Sequence, residues 1–106
     1  KNAVIEAEEG DTQLTMKQLT PVRLIKNNFY KIVKAAEENG ATLEELKNLL
    51  GRGRAKKGMY EGDMEEGELE IGQVSALIDN ILPAGEIVKN IWQEFNEGLS
   101  NPLKID

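Results

Sequence analysis

The sequence contains no cysteine and no histidine, and aromatic residues make up only 5% of its 106 positions. Without thiol or imidazole there is no disulfide, no thiolate nucleophile, no Ser-His-Asp triad and no zinc site built from sulfur or ring nitrogen. Any chemistry would rest on carboxylates, amides, hydroxyls, lysine or arginine. No apolar run approaches the roughly 20 residues of a membrane span, and no basic start leads into a hydrophobic signal core. The chain therefore reads as soluble, with no membrane partner, and its lack of cysteine is compatible with a cytoplasmic location. A chain of this length holds one core, with a radius of gyration of about 13 Å if compact, and falls short of the roughly 250 residues of a (β/α)8 barrel. It begins with Lys1 rather than Met, as a processed chain or a piece of a longer protein would.

Acidic residues outnumber basic ones by 19 to 13, for a net charge of −6 and a pI near 4.8. That balance opposes general nucleic-acid binding, whose affinity comes from neutralising phosphates. The charge is unevenly placed: residues 12–57 carry ten basic and four acidic side chains, whereas residues 58–106 carry two basic and eleven acidic ones. Oppositely charged halves attract each other at close range, or each faces another protein.

Ala3, Val4, Ile5 and Ala7 read as the end of a helix stopped by Gly10, and residues 11–15 as a turn leading into an extended stretch. From Val22, apolar residues at 22, 25, 29, 32, 33 and 36 predict an amphipathic helix ending near Asn39 and Gly40. Thr42 followed by Glu45 is a capping-box signature, opening a second helix that completes an αα-hairpin. Gly51 and Gly53 each cost about 1 kcal/mol in a helix interior, so this helix either frays there or is held through Met59 by tertiary contacts. Residues 58–72 carry six carboxylates and no base and read as a loop, with a short strand possible at residues 69–71. Val74, Leu77, Ile78, Ile81 and Leu82 predict a short buried helix ending near Pro83. A terminal helix follows with the strongest apolar stripe, Ile87, Val88, Ile91, Trp92 and Phe95, stopped by Gly98 and Pro102 ahead of a mobile tail. The fold class is mainly α.

The acidic loop invites a metal reading, but from Asp63 its glycine falls at the fifth loop position instead of the sixth, and its oxygen ligands do not alternate as an EF-hand requires. A water-facing loop is the expectation, with no metal. The run from Gly51 to Gly58 lacks the Gly-Lys-Ser/Thr ending of a P-loop and reads as a basic helix face able to pair with that loop, or to dock a phosphate-bearing ligand. Trp92 and Phe95, one turn apart, are expected in the core. Tyr60, at a helix end before the loop, is a candidate to line a site.

The stretch from Gly62 to Ile78, Gly-Asp-Met-Glu-Glu-Gly-Glu-Leu-Glu-Ile-Gly-Gln-Val-Ser-Ala-Leu-Ile, resembles the C-terminal G-D-x-x-x-G-x-x-x-x-G-Q-x-x-x-L-I pattern of the nitronate monooxygenase family. That family, formerly called 2-nitropropane dioxygenase, includes the FMN-dependent enoyl-acyl-carrier-protein reductases of the second type. Residues 11–15 and 22–27 are similar to its D-T-x-L-T and V-R-x-I-K-N segments, in the same order. The resemblance spans nearly the whole chain.

It implies a TIM-barrel flavoenzyme whose last strand precedes this chain. Residues 1–21 would be the end of a barrel helix and an extended linker, 22–82 a helical cap with the acidic loop at 58–72, and 83–106 the terminal helix and tail. The catalytic histidine and most FMN contacts belong to the barrel, so no catalytic residue is expected here, and neither FMN nor NAD(P)H would bind the isolated piece. Gly72 and Gln73 are implied as cofactor-binding residues and Gly67 and Glu68 as part of a substrate loop, Glu68 standing where the family often has Ser; Gly72 and Gln73 read equally as a helix start that orients the loop. Arg52, Arg54, Lys56 and Lys57 would steer an acyl carrier protein or a cofactor phosphate. Partners would be the upstream barrel, a carrier protein or a second copy. The implied reaction is reduction of an enoyl thioester in fatty-acid synthesis or, alternatively, oxidation of alkyl nitronates with oxygen. A reading of another class is an autonomous helical interaction domain.

Overall fold

In the computed structural model, which describes residues 1–101, the chain forms a small β-hairpin crossed by short helices, with one long helix projecting away. Helix α1 covers Asn2–Glu6 and ends as Ala7 turns extended, with Gly10 at φ +92° completing the turn. Strands β1 (Thr12–Thr15) and β2 (Val22–Ile25) pair antiparallel, Thr12 opposite Ile25 and Thr15 opposite Val22. Beyond β1, Met16 is buried at φ +50°, a left-handed backbone costly for a side chain with a Cβ. A third extended piece lies against β2 at 69–71, where the sequence allows a short strand, and it makes an isolated bridge rather than a strand. Ile25 N–H donates to the Leu69 carbonyl (3.0 Å) and Ile71 N–H to the Arg23 carbonyl (3.1 Å), with a bridge between Leu24 and Glu70.

The helix expected from Val22 begins only at Asn28 (α2, Asn28–Glu38), because the first four residues of that stripe are strand β2. Val22, Leu24 and Ile25 suit a pleated, half-buried surface, and β1 supplies the partner that overrides their helical spacing. Asn27 marks the true start: its side chain accepts from Tyr30 N–H at 2.9 Å. Asn39 and Gly40, the latter at φ +76°, end the helix where the sequence placed its stop. Helix α3 (Leu43–Leu50) carries the full capping box, with Thr42 Oγ1 accepting from Glu45 N–H and Glu45 accepting from Thr42 N–H. Of the two courses open at Gly51, the chain breaks: Gly51 (φ +65°) and Gly53 (φ +76°) turn it into a separate helix α4, Arg54–Met59.

One compact core results. Met16, Leu24, Phe29 and Val33 form its centre, with Leu19, Val22, Leu49 and Leu50 packed against them and Leu46 buried beside them.

The C-terminal third departs from expectation. The buried helix predicted at 74–82 is a 3₁₀ helix, Gln73–Leu77, followed by extended chain into Pro83, and Leu77, Ile78 and Ile81 are exposed. Pro83 keeps its predecessor out of helical geometry, and among the described residues Ile78 and Ile81 are only partly covered, lining an apolar groove with Val4, Ile5 and Ile87. Helix α5 (Ala84–Ser100) runs through Gly98 instead of stopping there. Its stripe is not a core within this chain: Trp92 and Phe95 stack at 5.6 Å between ring centres yet are 64% and 53% exposed. Pro102 and the expected tail lie outside the described residues. The radius of gyration is 17.7 Å, well above the roughly 13 Å of a compact domain this size.

Replacing the α3 cap, Thr42→Ala, is expected to cost about 1 kcal/mol. Urea unfolding should show a lower midpoint with an unchanged slope, and a midpoint equal to the parent's would remove the capping box from the stabilising contacts.

Candidate functional site

Four residues were singled out by resemblance, and the structure places them in two different settings. Gly67 and Glu68 are buried where the acidic loop meets α4, whereas Gly72 and Gln73 are exposed at the start of the 3₁₀ helix.

The buried setting is built from backbone contact. Gly58 and Gly67 lie so close that a Cβ on Gly67 would overlap the Gly58 main chain, and one on Gly58 would come within 2.8 Å of the Glu68 carbonyl oxygen. Main-chain atoms on both sides leave nothing able to move aside. The Gly67 requirement is thus explained by packing inside the chain.

Two side chains hold this contact. Asn27, besides capping α2, donates through Nδ2 to the carbonyls of Gly67 (2.8 Å) and Met64 (3.0 Å). Arg54 reaches back with Nε and Nη2 to the carbonyls of Leu50 (3.1 Å) and Leu49 (3.2 Å), and forward with Nη1 to the Glu66 carbonyl (2.8 Å). Its guanidinium carbon lies 4.6 Å from the centre of the Phe29 ring, a cation–π stack against the core. Neither residue was flagged for this role. Asn27 carries a readable signal, a capping residue directly before an apolar stripe, while Arg54 looks like any member of a basic run.

The expected pairing of that basic run with the acidic loop is present. Lys57 lies 3.2 Å from Asp63, Lys56 3.5 Å from Glu61 and Arg54 3.7 Å from Glu66. These are contacts in or near solvent, worth little individually, but they occupy three of the four cations expected to steer an external partner. Arg52 is exposed and makes no ion pair among the described residues. Tyr60 is 86% exposed, against α4's end.

The loop is not uniformly water-facing. Asp63 accepts from Glu66 N–H (2.8 Å) and Glu65 N–H (3.2 Å), and these bonds, with Lys57, hold its carboxyl below the ordinary 3.8. Glu68 is 7% exposed; burial, then the nearby Glu70 charge, raise its carboxyl above the ordinary 4.5 against the opposing pull of Arg54.

The exposed setting is different. Gly72 is extended (φ −79°, ψ 160°), and a Cβ there would meet nothing nearer than Val74 Cγ1 at 3.9 Å. Among the described residues no contact calls for glycine at that position. Gln73 lines a groove of about 510 Å³ shared with Glu8, Glu9, Gly10, Thr12 and Leu77. Gly67 and Glu68 do not line it.

Residues 1–94 match the profile of the family described as nitronate monooxygenase. Among solved structures the chain is similar to FabK from Thermotoga maritima, with 28% identity over 95% of this chain and a TM-score of 0.81. It is also similar to the M276A mutant of that FabK, with 26% identity over 95% of this chain and a TM-score of 0.71. The chain spans 32% and 28% of those two chains, about a third of their length or less. A search of curated proteins gave no match.

Two outcomes follow for the loop. Gly67→Ala should abolish the cooperative unfolding transition or lower its midpoint sharply, while Gly72→Ala should shift stability by no more than about 0.5 kcal/mol; equal effects in parallel denaturant titrations would refute the contrast. Glu68, harder to ionise in the fold, adds stability below its unfolded value, and that contribution disappears as pH rises through the raised folded value. Asp63 acts in the opposite sense, its contribution being present above 3.8 and disappearing as pH falls through the depressed folded value. Glu68→Gln should therefore raise the urea midpoint at neutral pH and remove the gain seen on acidifying toward the ordinary carboxylate range, and Asp63→Asn should blunt the loss at lower pH. A Glu68→Gln profile parallel to the parent's would contradict the assignment.

Proposed function

Because the chain belongs to the nitronate monooxygenase family, we propose that it is the C-terminal cap and terminal helix of an FMN-dependent oxidoreductase, and that the whole protein reduces enoyl thioesters carried on an acyl carrier protein. The observations behind this reading are the likeness to FabK over 95% of this chain and the Gly62–Ile78 pattern, which resembles that of a family including the enoyl-acyl-carrier-protein reductases of the second type. The family profile's own description supports a second reaction on the same scaffold, oxidation of alkyl nitronates with oxygen.

In this reading the catalytic barrel is supplied by the remainder of the protein and covers what this chain leaves open. Ile87, Val88, Ile91, Trp92, Phe95 and Leu99 of α5 are 45–68% exposed, a continuous apolar stripe of the kind that packs on another element. FMN would supply hydride transfer from NAD(P)H to the substrate. The residues present suit the neutral edge of its ring system: Gly72 leaves room for close approach, and the exposed Gln73 amide both donates and accepts hydrogen bonds. They do not suit its phosphate, since Glu8 and Glu9 border the same groove, and the phosphate end is assigned to the barrel. Gly67 and Glu68 support the substrate loop from beneath. Arg52 is the cation left to meet an acidic carrier protein.

The test is made on the whole protein. Purified enzyme should carry FMN, seen in its visible absorbance, and consume NAD(P)H with crotonyl thioester; oxygen uptake with a nitronate and no thioester-dependent NAD(P)H consumption would assign the second reaction. Gly72→Ala and Gln73→Ala should each lower FMN occupancy several-fold at unchanged folded stability. A protein that binds no flavin would sink both reactions.

A further inference from the structure

We propose that residues 11–71 are a self-contained folding unit that swings as one body about its two connections to the rest of the chain, residues 7–10 and Gly72. The inference does not depend on the flavin reading. Among the described residues, every buried apolar residue except Ala7 lies from Met16 to Leu69. Hydrogen bonding closes at the same boundary. Among the described residues no hydrogen bond or ion pair joins 11–71 to α1, to the 3₁₀ helix or to α5, apart from the Glu8–Asp11 turn at the connection itself. Inside the boundary, main-chain bonds such as Phe29 to Glu65 and Glu68 to Arg54 tie the ends of the unit together. About 60 residues with one core is enough for a marginal domain.

Packing across the boundary is poor. A groove of about 170 Å³ separates Lys1, Ala3 and Val4 from Met59, Met64 and Leu69, and one of about 300 Å³ separates Ala3 and Glu6 from Ile25 and Lys26. The two connections leave side by side, since α1 packs against the 3₁₀ helix. Adjacent crossings are the mark of an inserted unit, and they leave a single axis for rotation. Each connection contains a glycine and no helix or strand: Ala7 (ψ 128°) leads into a turn completed by Gly10 at φ +92°, and Gly72 is extended, with Val74 Cγ1 at 3.9 Å the nearest atom to a Cβ built there. Rotation there opens and closes the crevice against α1 while the Gly58–Gly67 contact travels intact.

Hydrogen exchange on the full chain tests the unit. The amides of Ile25, Phe29, Leu46, Glu68 and Ile71 should share one opening free energy. Leu24→Ala should lower all five together and leave the α5 amides unchanged. Separate losses among the five, or α5 falling in step, would overturn the proposal.

The swing is read from distances. With no native cysteine, Ala3→Cys with Tyr60→Cys gives one spin-label pair across the crevice, and Lys31→Cys with Tyr60→Cys gives a control within the unit. The first distribution should be broad and the second narrow. Gly72→Pro suits φ −79° and removes an N–H that makes no hydrogen bond among the described residues; it should narrow the first distribution and spare the second. A crevice distance as narrow as the control, or one unmoved by Gly72→Pro, would overturn it.

Discussion

The guanidinium of Arg54 is the joint on which the packed core and its acidic loop depend. Three carbonyls from two segments converge on one planar group that also lies over Phe29, the residue at the centre of the core. The carbonyls of Leu49 and Leu50 belong to the last turn of α3, where no intrahelical donor remains, so Arg54 satisfies acceptors that the Gly51 break would otherwise leave open. The same fork fixes Glu66 and thereby the return of the acidic loop. A lysine ammonium offers no planar fork and no stacking surface, and could not reproduce this set of contacts.

Asn27 supplies the complementary restraint from the other side, so the loop is held between a neutral amide and a cation, with Asp63 alone of its carboxylates closing the turn from within. The six carboxylates are therefore less a charge cluster than a turn with a charged skin. Asp63 is spent on the turn and Glu68 is enclosed. Among the described residues no group of three or more is arranged to hold a metal ion.

Much of this was legible in the sequence wherever a local rule governs. The Thr42–Glu45 box, the Asn39–Gly40 stop and the extended 12–15 stretch are short-range signals that tertiary context did not override. The errors fall where a partner decides. Val22 and Ile25 fit a helical stripe as well as a strand, and only pairing with β1 distinguishes the two. Trp92 and Phe95 carry a core pattern, yet the surface that would bury them is not in these residues; periodicity reports that a face is to be covered and says nothing of what covers it. For the site, the resemblance singled out Gly67 and Gly72 alike and could not separate Gly67, glycine because of Gly58, from Gly72, where a Cβ would meet only Val74 Cγ1 at 3.9 Å. That distinction is carried by distance between segments far apart in sequence, which no one-dimensional pattern encodes.

The Gly58–Gly67 contact also bears on how such a chain can change over generations. The close approach requires glycine at both positions, since an added methyl at either one meets the main chain of the other segment. No single substitution leads to a larger residue at either place with the loop preserved; the route passes through loss of the close approach itself. The pair would be kept together or abandoned together with the loop's shape, while Gly72, free of any such internal bond, is constrained only by what lies outside these residues.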